Sequence, residues 1–495
     1  MPLIDVDPSR DASAPGSQAH SAPDEPAAGK LAAQVALRIE RDIVGRGWPV
    51  GESLGSQSEL RQRYGVSRAV LREAVRLVEH HHVARMRRGP GGGLFVVAPD
   101  ARPAARAIVI YLESVNTSVD DLMEARRLIE PLAAAMAAAQ VTEDGITELR
   151  HTLAAGSATT DDRGDRTVEA LHVLLGELSA NPVLGLFIEV LTRLTDRYGR
   201  LATDTPASAF REARAEAHRR HAEIADLVIA GDAGRAETRM AAYLDAVAAW
   251  MRSHGQGGRV TDRVATSPLT AAPQAKLAEV VAGRLRDDIA AAGRPVGAVI
   301  GSESDLLSRY GISRAVLREA VRLLEYHSVA SMRRGPGGGL VVGTPDAQAS
   351  VETMALYLEY RAVGPRDLLA VREVIELGVV TRVTARHDDP EVVRRLDVAA
   401  RWPEPESARD RAPADSFHAE LAELAGNPVL TLFLRILTAL WRRHAPVEGV
   451  VSGSVAATEV ERVHRRIAEA VLAGDEGLAR HRLRRHLAAL TDWWH

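Results

Sequence analysis

The chain contains one unit written twice, and this repeat limits the folds that are possible. The stretch YGVSRAVLREAVRLVEHHHVARMRRGPGGGLFV begins at Tyr64, and YGISRAVLREAVRLLEYHSVASMRRGPGGGLVV begins at Tyr310, 246 positions later. The similarity continues at the same offset to LHVLLGELSANPVLGLF from Leu171 and FHAELAELAGNPVLTLF from Phe417. Solenoid repeats have only about 20–45 residues. The sequence therefore predicts a duplicated two-domain unit.

Composition divides each copy into a small basic domain and a longer domain rich in Ala, Leu and Arg. A segment rich in Pro, Ala, Ser and Asp comes before the first copy, and one rich in Gly, Ser, Thr and Pro lies between the copies. Both compositions are typical of chain without a packed core. We expect a disordered leader (1–28), small domains (29–98 and 276–344), helical domains (99–252 and 345–495) and a flexible linker (253–275).

The totals exclude several classes of protein. The sequence has no cysteine, so a disulfide framework, a thiolate metal site and a cysteine nucleophile are excluded. The N-terminus lacks a basic start followed by an apolar core, and no apolar run approaches the roughly 20 residues that span a bilayer. We therefore expect a cytoplasmic protein. A net charge of −4 argues against a uniformly basic surface but allows a local basic patch.

In the small domain, the residue pattern predicts three helices followed by a hairpin. Apolar residues recur at four-residue spacing in LAAQVALRIERDIVG (31–45), which indicates an amphipathic helix. Ser56 and Glu59 match a capping box for a second helix, and Ser67 is a suitable N-cap for a third. VARMRRGPGGGLFV then alternates apolar and basic residues around a glycine-rich turn, as a two-stranded hairpin does.

The third helix separates an apolar face from a basic one. Arg68, Arg72 and Arg76 recur along one face, and eight arginines against three glutamates lie between Gln57 and Val97. The predicted order is that of a winged helix-turn-helix, in which such a helix fits the major groove and wing arginines reach phosphates. A lone arginine stripe is usually a solvated face, and RGPGGG lacks the Gly-Lys-Ser/Thr of a phosphate loop. The ordered combination, present twice, favours DNA binding.

The string GVSRAVLREAVRLVE followed by RRGPGGG resembles the DNA-binding domain of the GntR family of bacterial transcription regulators, and the downstream part resembles the FadR-like (FCD) helical effector domain. The resemblance implies a mostly α fold with two winged helix-turn-helix domains, each followed by an all-helical bundle. Ser58 and Ser304 stand where many relatives have arginine, so the operator sequence cannot be carried over. The expected DNA-binding residues are Ser67, Arg68, Arg72, Arg87, Arg88, Gly89, Ser313, Arg314, Arg318, Arg333, Arg334 and Gly335.

The large domain of copy two carries candidate metal ligands. Its helical periodicity predicts a bundle of six or seven helices, on which Asp415 and His418 lie one turn apart and His464 and His486 fall on later helices. Neutral imidazoles with a carboxylate suit zinc or a similar divalent ion, although scattered histidines are ordinarily surface residues. The resemblance implies an aspartate and three histidines as ligands, but the family's aspartate position falls on Ala414.

Copy one keeps only part of this set. His172 and His221 remain, but Tyr243 stands at the third histidine position and Val168 at the aspartate position, with Glu169 the only nearby acid. We therefore expect a degenerate site in copy one.

Each bundle also contains an arginine that could bind an effector. Arg126 and Arg372, on the first long helix of each bundle, could hold a carboxylate through paired hydrogen bonds. The alternative is a salt bridge with the acid one turn along, Glu130 or Glu376.

Two DNA-reading heads on one chain suggest a single-chain pseudo-dimer. Relatives in the family typically act as homodimers on palindromes, and covalent linkage raises the effective concentration of the second head. We expect a transcription regulator, not an enzyme, that binds a near-palindromic operator in double-stranded DNA. We favour repression, with operator affinity modulated by a small carboxylate effector. Further association of chains, a metal-dependent hydrolase using the C-terminal His/Asp cluster, and a DNA-binding protein without an effector all stay open.

Overall fold

The computed structural model describes residues 25–99, 101–115, 117–158, 166–200, 207–254, 277–326, 328–333, 335, 337–399, 413–444 and 455–490. The chain divides into two compact units, the first ending at Ala98 and the second beginning at Pro99. Most of the expected leader and linker lies outside the described residues. The first helix begins at Glu25, inside the segment expected to be the leader.

The first unit is a small domain that we call head one. Its elements are α1 (Glu25–Gly45), α2 (Gln57–Tyr64), α3 (Arg68–His80), β1 (Ala84–Arg87) and β2 (Gly93–Val96). Three residues of the expected stripe of α1, Val35, Ile39 and Ile43, are buried, whereas the first residue of the stripe, Leu31, is exposed. Helix α1 packs against α3. The result is the expected order of three helices and a hairpin.

Two serines and one glycine determine where α2 begins and ends and where α3 begins. The Ser56 hydroxyl accepts the Glu59 N–H, and the Glu59 carboxylate accepts the Ser56 N–H at 2.7 Å, so the expected capping box is present. Gly65 ends α2 with a φ of 66°, a left-handed conformation that favours glycine. Ser67 then caps α3 by accepting the Val70 N–H at 3.3 Å.

The second unit begins with a helical domain that we call bundle one. The structure describes seven helices here: α4 (Ala101–Ser114), α5 (Val119–Gln140), α6 (Glu143–Ala158), α7 (Arg166–Leu178), α8 (Pro182–Arg200), α9 (Ala207–Ile229) and α10 (Ala233–Ser253). The long helix α5 packs against α7, α8, α9 and α10 and is therefore the central helix of the bundle.

The same unit contains the second small domain, head two. Its elements are α11 (Leu277–Ala291), β3 (Val299–Gly301), α12 (Glu303–Tyr310), α13 (Arg314–Tyr326), β4 (Ala330–Arg333) and β5 (Gly339–Val342). The sheet has three antiparallel strands in the order β3-β5-β4, one more than the expected hairpin. Head one has only an isolated bridge, Ser53 to Phe95, in the equivalent place. The β-branched Val299 and Ile300 of head two favour a strand more than Ser53 and Leu54 do.

Bundle two completes the second unit. The structure describes α14 (Gln348–Tyr360), α15 (Pro365–Thr384), α16 (Pro390–Ala399), α17 (Pro413–Ala425), α18 (Pro428–His444), α19 (Val455–Leu472) and α20 (Glu476–Leu490). The count of seven helices in each bundle agrees with the expected six or seven. None of the helices in the described part of the chain is long and apolar enough to cross a membrane.

The two bundles pack against each other around one continuous hydrophobic core. Asn181 Nδ2 donates to Asp367 O at 3.0 Å, and Asn427 Nδ2 donates to Asp121 O at the same distance. Each of these residues has its counterpart 246 positions away, so the two contacts are related by a pseudo-two-fold axis. The contact therefore has the form of an isologous dimer interface within one chain.

The rings of Phe187 and Phe433, which are also counterparts, stack with centroids 3.9 Å apart in the same interface. Head two contacts bundle one as well, through a buried ion pair between Arg286 of α11 and Glu113 of α4.

Candidate functional site

The arginines expected to contact DNA in head one lie on the exposed face of α3. Arg68 and Arg72, one turn apart, are exposed, whereas Leu71 and Val75 are buried. The helix therefore presents guanidinium groups outward while its apolar face holds it in the domain. Exposed guanidinium groups along one face of a helix can reach guanine edges and phosphates in a major groove.

Head two presents Arg314 and Arg318 in the same way, with one difference in charge. Nε of Arg314 lies 3.5 Å from Glu303 Oε1, whereas Gln57 occupies the position of Glu303 in head one. Glu303 competes with an anionic ligand for this guanidinium. The electrostatic potential around Arg314 is therefore less positive than the potential around Arg68, its counterpart in head one.

The wing of head one carries its cations at an exposed turn. Arg87 and Arg88 are exposed and precede Gly89, whose φ of 101° lies in a region that strongly favours glycine. The guanidinium carbon of Arg87 lies 4.3 Å from the centroid of the Phe95 ring, which holds this side chain against the hairpin.

The wing of head two repeats this turn. Gly335 has a φ of 100°, and the exposed Arg333 donates to Gly337 O at 3.2 Å. Ser313 caps α13 by accepting the Val316 N–H at 3.4 Å. Arg334 lies outside the described residues.

Three of the four expected metal ligands in bundle two come together in its interior. His418 of α17, His464 of α19 and His486 of α20 are all buried, and one nitrogen from each lies within 4.8 Å of the others. The Nε2 atom of His486 lies 3.2 Å from that of His418 and 3.1 Å from that of His464. Asp415 lies on the first turn of α17, and its side chain is outside the described residues.

Two of the three separations between the histidine nitrogens fit a tetrahedral metal ion. An ion about 2.0–2.1 Å from each nitrogen would separate the nitrogens by about 3.3 Å, close to the 3.1 and 3.2 Å that separate His486 from the other two. The nitrogens of His418 and His464 lie within 4.8 Å of each other. Nδ1 of His418 lies 2.5 Å from Glu376 Oε2, which assigns the proton to Nδ1 and leaves Nε2 free to bind. Burial and His418 lower the pKa of His486 to about 3, so its imidazole is neutral near pH 7.

Glu376 connects the histidines to the arginine of bundle two. Its carboxylate contacts His418 on one side and Arg372 Nε on the other, at 2.5 Å. Burial would raise the pKa of Glu376, but His418 and Arg372 outweigh burial and hold the pKa at about 2. The sequence indicated the pair with Arg372 but did not reveal the second contact with His418. Helical spacing relates Glu376 to Arg372, but His418 is on another helix.

Arg372 keeps one donor group without a partner. Nη1 of Arg372 is buried and has no hydrogen-bond acceptor among the described residues. The guanidinium carbon lies 5.8 Å from the centroid of the Trp441 ring, which has no acceptor for it. A buried N–H without an acceptor costs about 1–3 kcal/mol, so a bound acceptor would be stabilised here.

Bundle one satisfies the equivalent arginine internally. Arg126 donates from Nε to Glu130 at 2.5 Å, from Nη1 to Thr195 Oγ1 at 2.9 Å and from Nη2 to Glu169 at 3.2 Å. The salt bridge that the sequence offered as the alternative is therefore present, with two further acceptors. Glu169 and Thr195 are the counterparts of Asp415 and Trp441.

In bundle one, a tyrosine ring packs against the two histidines. His172 and His221 place their Nε2 atoms 3.1 Å apart, and the buried ring of Tyr243 lies 4.7 Å from the His221 ring. Burial raises the pKa of Tyr243, so its hydroxyl stays protonated at neutral pH. Among the described residues of bundle one, His172 and His221 therefore have Tyr243 beside them in place of a third histidine.

Models of known protein families match both copies. The model described as "Bacterial regulatory proteins, gntR family" matches residues 31–96 and 277–340, and the FCD domain model matches residues 121–246 and 367–489. A winged DNA-binding head followed by a helical effector domain is the organisation of a bacterial transcription regulator, and here it occurs twice. The chain belongs to the GntR family and carries two FCD domains.

Individual relatives match less than half of this chain. The Uxu operon regulator of Haemophilus influenzae is 24% identical over 163 residues, which are 32% of this chain and 57% of that protein. The regulator LutR of Bacillus subtilis is 26% identical over 198 residues, 39% of this chain and 89% of LutR. Among solved structures, GntR of Streptococcus agalactiae aligns with a TM-score of 0.33 and 19% identity, over 44% of this chain and 99% of that one. The match with LutR, nearly complete within less than half of this chain, agrees with a duplication.

Proposed function

We propose that the chain is a sequence-specific DNA-binding repressor of the cytoplasm whose two heads bind the two halves of one near-palindromic operator. The observation that carries this proposal is the exposed arginine pair on the third helix of each head, Arg68 with Arg72 and Arg314 with Arg318. Each pair follows a capped helix start and precedes a wing that carries exposed arginine, Arg87 and Arg88 in head one and Arg333 in head two. Two such surfaces on one chain supply what a homodimer supplies with two chains.

The pairing of the bundles supports the single-chain form of this proposal. The Asn181 and Asn427 contacts and the stacked Phe187 and Phe433 rings form a two-fold interface inside the chain. Because the two bundles cover this interface within the chain, a second chain is not needed to complete it. One chain per operator is therefore the expected stoichiometry.

We further propose that bundle two binds a divalent metal and a small carboxylate effector. His418, His464 and His486 would hold the ion, with Asp415 the candidate fourth ligand, and Arg372 Nη1 would donate to the carboxylate. Bound metal would supply a fixed positive charge beside this donor. Arg126 has its donors occupied by Glu130, Glu169 and Thr195, so we assign the effector response to bundle two.

The chemistry of the cluster favours sensing over hydrolysis. A metal-dependent hydrolase needs a general base near the ion. Glu376, the described carboxylate nearest the histidines, is engaged by both Arg372 and His418 and has a pKa of about 2. Such a group is a weak base at neutral pH.

The DNA proposal is tested by gel-shift titration with the full chain and the DNA upstream of its own coding region. We expect Arg68→Ala and Arg314→Ala each to weaken binding by about 1–3 kcal/mol, and the slope of log affinity against log salt to fall. Arg394→Ala, at an exposed arginine of bundle two, is the matched control and should leave binding unchanged. Unchanged binding and salt slope in both head variants would show that the DNA assignment is wrong.

Sedimentation of the operator complex tests the stoichiometry. One chain per operator is expected, and two chains per operator would overturn the single-chain form.

Repression and effector binding need separate measurements. A reporter gene under the same upstream DNA should be derepressed when the chain is absent. Calorimetric titration with small carboxylates should give heat with the wild-type chain and none with Arg372→Met. No heat with any carboxylate would favour a regulator without an effector.

A further inference from the structure

The surfaces that the two bundles present to each other are related by a pseudo-two-fold axis but are not identical. The Asn181 and Asn427 contacts repeat on both sides of the axis. Two other contacts, one ionic and one steric, occur on one side only. Both lie between α5 of bundle one and α15 of bundle two.

The ionic contact joins Arg382 of α15 to Glu124 of α5. Arg382 Nη1 forms an ion pair with the Glu124 carboxylate, and Nη2 lies 3.6 Å from Asp121. Asn427 Nδ2 also donates to Glu124 Oε2 at 2.7 Å. Glu124 is thus held by a cation and an amide that both come from bundle two.

This ionic contact has no counterpart across the axis. The residues 246 positions away from Glu124 and Arg382 are Ala370 and Met136. The charges are therefore divided between the bundles, with the acid on bundle one and the base on bundle two.

The steric contact joins a large residue to a small one. Leu128 of α5 lies against Gly378 of α15 so closely that a Cβ on Gly378 would overlap the leucine side chain, lying 3.0 Å from its Cδ2 atom. The counterparts of this pair are Val374 and Leu132. A leucine at the position of Gly378 would therefore collide with Leu128.

Pairing of either bundle with another copy of itself would lose these contacts. Two copies of bundle one would set Leu128 against Leu132 and Glu124 against Met136, on both sides of the axis. The first juxtaposition is overpacked, and the second leaves both carboxylates without an arginine.

Two copies of bundle two would set Val374 against Gly378, which leaves a cavity on each side. Arg382 would face Ala370 in place of a glutamate. Asp367, the counterpart of Asp121, would supply only the longer of the two contacts that Arg382 makes now.

We propose that the two bundles carry complementary faces that select the pairing of bundle one with bundle two of the same chain and reject pairing between like bundles. Leu128 with Gly378 supplies the steric part of this selection, and Glu124 with Arg382 supplies the ionic part. The proposal deepens the single-chain pseudo-dimer proposed above and rests on it. It does not depend on DNA binding.

The steric part is tested by thermal unfolding of the full chain with substitutions at two positions. Replacing a glycine inside a helix by alanine ordinarily stabilises it. Gly378→Ala should instead lower the melting temperature because its Cβ overlaps Leu128. In a chain that also carries Leu128→Ala, adding Gly378→Ala should raise the melting temperature. Gly283→Ala, at a helical glycine with open space around it, is the control and should raise the melting temperature in both backgrounds.

A rise in melting temperature with Gly378→Ala in the wild-type background would overturn the steric part.

The ionic part is tested by moving the arginine from bundle two to bundle one without changing the composition. In Met136→Arg/Arg382→Met, pairing within the chain has no glutamate–arginine contact, whereas two copies of bundle one would form two of them.

We expect this variant to show an average mass that rises with concentration in sedimentation equilibrium, and the wild type to show the mass of one chain. Like-bundle association of the wild type, or no association of the variant, would overturn the proposed selection. Either result leaves the gel-shift test of Arg68 and Arg314 unaffected, so failure of this inference and failure of the DNA proposal are distinguishable.

Discussion

Arg126 Nη1 donates a hydrogen bond to Thr195 Oγ1 over 2.9 Å. The counterpart of Thr195 is Trp441, and the matching Nη1 atom of Arg372 is buried without an acceptor among the described residues. The tryptophan at this position therefore removes one of the two acceptors that the Nη1 atom of Arg126 has; the other acceptor, Glu169, has Asp415 as its counterpart in bundle two. This difference motivates the assignment of ligand binding to bundle two.

The stoichiometry and location of the metal site can be measured directly. We expect the wild-type chain to bind one zinc ion and His486→Ala to bind none, because bundle two alone assembles three imidazoles among the residues that the structure describes. Glu376→Gln should weaken zinc binding about 10–100-fold, since Glu376 orients His418 through Nδ1. His481→Ala, at an exposed histidine of the same helix as His486, is the control. Zinc binding that survives His486→Ala would place the metal elsewhere.

A single substitution should create a second site in bundle one. Tyr243 occupies the position of the third histidine beside His172 and His221. Tyr243→His should therefore raise the zinc content measured by mass spectrometry from one ion to two per chain. Tyr243→Phe removes the hydroxyl without adding a ligand and should leave one. A content that stays at one with Tyr243→His would show that the tyrosine is not what prevents metal binding in bundle one.

The cross-bundle hydrogen bonds should contribute unequally to stability. Asn427→Asp keeps the oxygen that caps α18 but replaces the amide that donates to Asp121 O and Glu124 by an anion. We expect a loss of about 2–4 kcal/mol in the free energy of unfolding, because a buried donor is lost and a like charge meets Glu124.

Asn181→Asp is the matched variant, and denaturant unfolding at neutral pH compares the two. The Asn181 side chain donates to Asp367 O, and on this side of the axis Ala370 stands at the position that corresponds to Glu124. The expected loss is therefore smaller, about 1–2 kcal/mol. Equal losses in the two variants would contradict the unequal distribution of charge across the axis.

Acid should destabilise the bundles in two ranges of pH. Burial and His418 lower the pKa of His486 to about 3 in the folded metal-free chain. In the unfolded chain this imidazole takes up a proton below about pH 6.5, whereas in the folded chain it stays neutral until about pH 3. Stability therefore falls as pH drops from about 6.5 towards 3. The pKa of Glu130 is held at about 2 by Arg126 and His172 against the opposing effect of burial. Its contribution is complete above about pH 4.5 and is lost as pH falls towards 2.

Glu130→Gln isolates the second effect. The variant should be less stable than the wild type at pH 7 because Arg126 loses an anionic partner inside the bundle. The difference in the free energy of unfolding between the wild type and the variant should shrink by about 3 kcal/mol, at most, between pH 5 and pH 2. The reason is that only the wild type has a carboxylate at position 130 that takes up a proton in this range. Urea unfolding at a series of pH values in the presence of a chelator measures the difference. A difference that is constant with pH would mean that Glu130 titrates normally.

The sequence was sufficient for the features that depend on local chemistry. The capping box of Ser56 and Glu59, the buried residues from Val35 to Ile43 on one face of α1, and the exposed face of Arg68 and Arg72 follow from spacing along one helix. The repeat then transferred each local prediction to the second copy. These features confirm the expected fold of winged heads and helical bundles.

Relations between helices could not be predicted in the same way. The shared carboxylate of Glu376, the contact of Thr195 with Arg126 and the overlap of Leu128 with Gly378 join residues that are far apart in sequence or on different helices. Periodicity places each residue on a face, but the partner across that face depends on how the helices cross. The third strand of head two was missed because Val299 to Gly301 is too short to give a clear alternation.

The Asn181 and Asn427 contacts put both halves of the interface on one polypeptide. In a protein encoded by a single-copy gene for one subunit, every substitution appears in both subunits and changes both sides of the symmetry axis together. In this chain a single codon change alters only one of the two bundles and therefore only one side of the interface. Divergence such as tyrosine for histidine at position 243, or glycine for leucine at position 378, is therefore available to this architecture while it is closed to a homodimer.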